Sequence, residues 1–141
     1  MNIRHADTAE EIFRCHPLMR QLRPRLESAE QFLECYRRQA SAGYRLLVRW
    51  SGETPLALAG YRFSENLFHG QHLYIDDLVS DSASRNLGHG RALLEHLKSE
   101  AAALGCNQLV LDTAVSNVGA QRLYQGVGMT AGGLHFFIHL R

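Results

Sequence analysis

The sequence predicts an α/β protein on a mixed sheet, with its elements in the order βααβββαβαββ. Three observations lead there. Two helix-start signals stand close together near the N-terminus. An alternating stretch from Tyr44 to Phe63 is interrupted by a Gly-containing turn. A strand at His72–Val79 leads through a glycine-bearing loop into a segment of helical period, followed by a further strand and helix.

Asn2–His5 is the opening strand, and Thr8-Ala9-Glu10-Glu11 fits a capping box for a helix running to about Met19. Pro17 and Pro24 break that pattern. Ser28-Ala29-Glu30-Gln31 repeats the capping signal before a helix carrying Phe32, Leu33, Tyr36 and Ala40, which Gly43 ends. Tyr44–Trp50, the turn Ser51-Gly52-Glu53 and Pro55–Phe63 read as an antiparallel hairpin, and the His72–Val79 strand follows the loop around Gly70. From Leu87 to Leu104 the residues Leu93, Leu97, Ala101 and Leu104 recur at helical spacing, with Arg91, Glu95 and Lys98 outside the stripe and Gly105 as the stop. Gln108–Ala114 reads as a buried strand and Val118–Val127 as a short helix. The last two strands fall near Thr130 and at Phe136–Leu140.

With 141 residues the chain suits one domain, 1–141, with one hydrophobic core. A net charge of +1 and 21% charged residues argue against a broad electrostatic hold on nucleic acid or a membrane surface. Cys15, Cys35 and Cys106 are odd in number and too widely spaced for a disulfide framework or a metal site. A reducing, cytoplasmic setting is therefore expected. Arg4, Asp7, Glu10, Glu11 and Arg14 interrupt any signal-peptide core. Leu123–Leu140 lacks charge, but its glycines, Gln125, Thr130 and two histidines make poor material for a membrane helix, so it reads as a helix end followed by buried strands.

The chemistry lies in LYIDDLVSDSASRNLGHGRALLEHL, where Arg85-Asn86-Leu87-Gly88-His89-Gly90-Arg91 opens an amphipathic helix. Glycine lets a backbone approach a ligand closely, and the first N–H groups of a helix can donate to phosphate oxygens. Two glycines in a first helical turn each cost about 1 kcal/mol against alanine unless they serve a purpose. A dinucleotide fingerprint does not fit. Leu93 stands at the third glycine position, the loop before Gly88 is too long, and too little chain follows Asp112 for a second βαβ unit.

This R-x-x-G-x-G run, after a strand ending in Leu78-Val79 and followed by Asn117 and AQRLYQGVGM, resembles the GNAT superfamily of acetyl-CoA-dependent N-acetyltransferases. The resemblance covers essentially the whole chain. It implies a GNAT-like mixed, mostly antiparallel sheet with helices on both faces. It also implies transfer of an acetyl group from acetyl-CoA to a primary amine of a small molecule or peptide, by direct attack in a ternary complex and without a metal. In it the backbone of Leu78 and Val79 pairs with the pantetheine arm. Amides from Arg85, Asn86, Leu87, Gly88, His89, Gly90 and Arg91 hold the pyrophosphate, Asn117 bonds near the pantetheine, and Tyr124 sits near the sulfur. Asn117 also fits a helix cap, and Tyr124 shares a helical face with Ala120 and Val127. A non-catalytic acyl-CoA-binding regulatory module is the alternative reading. Homodimers are common in such proteins, and an exposed sheet edge or the apolar C-terminal strands would supply the contact.

An alkyl amine with a pKa of about 10.4 is neutral in only about one molecule in a few thousand at pH 7, so a base must take its proton. Tyr124 is the candidate acid for the leaving thiolate. Asp76 and Asp77 are the candidate bases, directly or through water, and alternation along a strand sends one of them into the acceptor cleft. YIDDLV resembles the paired acidic residues at this place in spermidine/spermine acetyltransferases, which favours Asp76. The region of the first two helices, which in this family helps form the acceptor site, holds Arg14, Arg20, Arg23, Arg25, Arg37 and Arg38. Arginines there would repel a polyamine and favour an acceptor bearing a carboxylate.

Overall fold

In the computed structural model, which describes residues 1–141, five strands form one sheet in chain order. β1 (Asn2–His5), β2 (Arg45–Ser51), β3 (Thr54–Asn66) and β4 (Gly70–Ser80) pair antiparallel in succession, and β5 (Gln108–Leu111) joins β4 in parallel. The helices are α1 (Ala9–Leu22), α2 (Ala29–Ala40), α3 (His89–Ala103) and α4 (Val118–Gly126). The chain divides into two compact units, Met1–Leu111 and Asp112–Arg141. The predicted order holds through α4.

In the first unit, alternation along the strands gives each sheet face its own core. Leu46, Val48, Trp50, Leu58 and Val79 point to the side of α1 and α2, where they meet Ile12, Cys15, Leu18, Met19, Phe32 and Tyr44. Ala57, Ala59, Tyr61, Leu73 and Ile75 are buried on the other face, which α3 covers with Leu93, Leu94, Leu97 and Ala101. Leu104, expected in that stripe, caps the helix and is exposed.

Local chemistry explains the element ends. Thr8 and Glu11 form the full capping box of α1, and Ser28 caps α2 by accepting from the Gln31 N–H. Pro17, read from the sequence as a break in the pattern, lies inside α1, which runs on to Leu22 rather than to about Met19. The lost N–H is outweighed by burial of Ile12, Cys15, Leu18 and Met19 on either side of it. The β2–β3 hairpin turns at Gly52, at φ 59°.

Two predictions at the C-terminal end need correcting. β5 stops at Leu111 rather than Ala114, and its apolar residues are half-buried rather than buried. In the unit Asp112–Arg141, α4 is the one regular element, and the strands expected near Thr130 and at Phe136–Leu140 do not form. Leu134, Phe136, Phe137, Ile138 and Leu140 are exposed. A strand satisfies its N–H and C=O groups only across a ladder, and this unit contains no other strand to supply one.

Candidate active site

The start of α3 has the geometry of a candidate anion cradle. After a 3-10 turn at Ser82–Ser84, the backbone takes left-handed conformations at Asn86 (φ 66°) and Gly88 (φ 81°). Gly88 is the N-cap and therefore offers no side chain to the helix. The first intrahelical bond runs from the Ala92 N–H to the Gly88 carbonyl, so the N–H groups of His89 and Gly90 find no acceptor within the helix. His89 is 5% exposed, yet its Nδ1 has no hydrogen-bond partner, and the buried Ser84 Oγ has none either. Buried polar atoms in native proteins are nearly always paired, so a pair of orphans beside an uncapped helix start makes this a candidate ligand position. Arg85 and Arg91 are exposed beside it.

β4 leads into this loop with one edge open. Its parallel ladder with β5 covers His72–Ile75, whereas β3 accompanies it to Ser80. Leu78 and Val79 thus lie on a stretch whose second edge pairs with no strand, the setting in which a ligand chain can take a strand's place.

The two aspartates depart from simple alternation. Gly60 pairs with Asp77 and Tyr61 with Ile75, so Asp76 is an extra residue, a bulge in β4. The bulge turns both carboxylates toward the face that carries α1 and α2, correcting the expectation that only one would look that way. Asp77 accepts the Tyr44 hydroxyl at Oδ2 (2.8 Å) and the Arg23 Nε–H at Oδ1 (2.9 Å). Asp76 is held by a two-pronged Arg62 guanidinium, with Nε to Oδ2 at 2.9 Å and Nη2 to Oδ1 at 2.7 Å. Arg23 also donates to the Asp76 carbonyl at 2.8 Å. Burial first, then the charge and hydrogen bond of Asp77, holds the Tyr44 phenol well above its ordinary pKa, so it acts as a donor. The Asp76 hydrogen bond likewise raises Arg62.

Gly60 makes this arrangement possible. A Cβ there would lie 1.8 Å from the Tyr44 hydroxyl and 2.7 Å from Asp77 Oδ2. Of the arginines predicted for the acceptor region, Arg23 reaches β4 because it closes α1 as its C-cap. Arg14 instead pairs with Glu10 and Glu53. Sequence reading missed Tyr44, Gly60 and Arg62. Once β3 and β4 are paired, Arg62 stands opposite Tyr74 on the same face as Gly60, a signal that needs the register and the bulge.

In the second unit, Asn117 caps α4, its Oδ1 accepting from the Ala120 N–H at 3.1 Å, while its amide N–H groups donate to nothing in the protein. Tyr124 is half-buried on α4. Burial raises its phenol above the ordinary value against a hydrogen bond with Thr113, so it is protonated at neutral pH.

Residues 6–129 match the acetyltransferase (GNAT) family, a span that runs across both units. An uncharacterized N-acetyltransferase of Bacillus subtilis, YhdJ, is 28% identical over 127 residues, which cover 88% of this chain and 87% of the relative. Among solved structures, the aminoglycoside N-acetyltransferase AAC(6')-Iy in complex with CoA superposes with a TM-score of 0.84 at 16% identity, covering 99% of this chain and 94% of that one. Glucosamine-6-phosphate N-acetyltransferase from Arabidopsis thaliana gives a TM-score of 0.77 at 20% identity, with 99% and 98% covered.

Proposed function

The chain belongs to the acetyltransferase (GNAT) family and is an acyltransferase; we propose that it moves the acetyl group of acetyl-CoA to a primary amine of a small molecule or peptide, by direct attack in a ternary complex. The observation that carries this reading is the start of α3, where an uncapped helix, two left-handed residues and the unpartnered His89 Nδ1 converge. Such a cradle fits a pyrophosphate: Asn86 to Arg91 would hold it through backbone amides, with Arg85 and Arg91 adding charge. The open edge at Leu78 and Val79 would pair with the pantetheine amides. Asn117, whose amide has donors to spare, is kept as a cofactor contact on the family resemblance. Bound there, the thioester supplies the activated acetyl group.

On the acceptor side, Asp76 and Asp77 already have an arginine or tyrosine donor on every carboxylate oxygen. That engagement favours a relaying water, lodged on their remaining lone pairs, over direct contact between a carboxylate and the amine. Tyr124, protonated and half-buried, is the acid that we assign to the leaving thiolate. The family match across both units supports a single acetyltransferase domain over 1–141. No helix is long and apolar enough to cross a membrane, which accords with the cytoplasmic setting that we propose.

Calorimetry with acetyl-CoA, together with thiol release across an amine panel, tests this reading. Tyr124→Phe should lower turnover by about 10²-fold or more while acetyl-CoA still binds. Unchanged turnover removes Tyr124 from the mechanism. Binding with no thioester cleavage for any amine supports the regulatory-module reading instead.

A further inference from the structure

Both guanidiniums at the β4 bulge hold something in reserve. Arg23 uses Nε and Nη2 on Asp77 and on the Asp76 carbonyl, and Arg62 uses Nε and Nη2 on Asp76. The Nη1 group of each donates to nothing in the protein. Their side chains are 49% and 47% exposed, whereas those of Asp77 and Asp76 are 14% and 22% exposed. Each aspartate therefore lies beneath an arginine that faces solvent, and both arginines contact the same residue, Asp76. They arrive from different elements, Arg23 from the end of α1 and Arg62 from β3. Exposed ion pairs add little to stability, so two of them converging on one bulge are poorly explained as fold supports. A guanidinium fixed along one edge keeps the planar geometry that binds an oxyanion through the other, with its rotamer entropy already spent.

We propose that Arg23 and Arg62 form a two-armed clamp for an oxyanion, a carboxylate or a phosphate, carried by the acceptor near its amine. Asp76 and Asp77, besides holding the relaying water, then aim the arginines and keep the site near neutrality. A polycationic acceptor would meet two guanidiniums before it met either carboxylate. This inference rests on the acetyltransferase reading and narrows its substrate class.

The test uses matched acceptors in a thiol-release assay: an amino acid against its carboxamide, and an aminoalkyl phosphate against the corresponding amino alcohol. The anionic member of at least one pair should show a kcat/KM higher by about tenfold or more, and the pair that shows it identifies the oxyanion. Arg62→Gln should erase that preference chiefly through KM, and Arg62→Lys should restore part of it, with acetyl-CoA affinity unchanged in both. Equal use of neutral and anionic acceptors by the unaltered protein, or a uniform loss on all acceptors in Arg62→Gln, overturns the clamp. A second readout does not need turnover. Arginine Nε–H resonances of the intact protein are titrated with N-acetylglycine, with N-acetylglycinamide and with inorganic phosphate. Shifts of the Arg23 and Arg62 signals with an anion but not with the amide support the clamp; no shift, or equal shifts with all three, overturns it. Should no amine release thiol while these signals still respond to anions, acetyl transfer fails and the oxyanion site stands.

Discussion

At the scale of single residues, the proposed acceptor side depends on an absent side chain. Gly60 lies in β3 with Tyr44, 4% exposed, pressed against the place where a Cβ would go. Tyr44 has no room to yield, because its ring also packs edge-on to Tyr36 at 6.3 Å. Gly60→Ala should therefore cost about 1–3 kcal/mol in urea denaturation and disturb the Asp77 network, raising KM for the acceptor. An unchanged denaturation midpoint would show that the Tyr44 ring moves freely. Glu11 offers a pH test. Burial pushes its carboxyl up, but hydrogen bonds from Arg4 and from the Asp7 and Thr8 N–H groups prevail and bring it from 4.5 down to about 2. A depressed carboxylate stabilises the fold above its unfolded pKa and loses that contribution as pH falls through the folded one. The stability gap between the unaltered protein and Glu11→Gln should hold at neutral pH and shrink between pH 4.5 and about 2. A gap independent of pH would place the effect in helix capping alone.

At the scale of elements, the start of α3 is where we propose that the fold meets the cofactor. A non-glycine residue at position 88 would sit at φ 81° with nothing within 4 Å of its Cβ, so strain rather than collision sets the penalty. Gly88→Ala should lower stability by about 1–2 kcal/mol and weaken acetyl-CoA binding in calorimetry, because relaxing the strain turns the His89 and Gly90 amides. Retained affinity would move the phosphate contact elsewhere in the loop. This element was legible from sequence, since glycines before an amphipathic stripe have one simple use and the capping boxes of α1 and α2 are equally local. The β4 bulge was not legible. Nothing in YIDDLV marks which residue drops out of register; its neighbours there, Tyr44 just ahead of β2 and Gly60 in β3, lie far from it in the chain. Pro17 breaks the local pattern but not the helix, for a related reason. A local breaker lost to the burial of Cys15, Leu18 and Met19, whose partners on β2 and β3 only the tertiary fold supplies.

At the scale of the whole molecule, a net charge of +1 leaves specificity to local groups, and the longest uncharged stretch lies at the C-terminal end. Leu134, Phe136, Phe137, Ile138 and Leu140 are 71–88% exposed, and each such side chain is worth about 1.5–3 kcal/mol when fully buried. Meanwhile β5 has one strand neighbour, β4, and its Leu109, Val110 and Leu111 are half-buried. A chain that carries both an exposed apolar segment and an unpaired strand edge can satisfy each with the other in a second copy, and a two-fold arrangement does so twice. The homodimer expected from the sequence is therefore proposed to form through residues 134–140. Sedimentation velocity should find a dimer, and Ile138→Asp should shift it toward monomer with the far-ultraviolet circular dichroism of the sheet and helices retained. The charge blocks burial of the segment without touching the core of residues 1–111, which keeps loss of assembly separate from loss of fold. A monomer at every concentration for the unaltered protein, or an Ile138→Asp variant that stays dimeric, would overturn this interface.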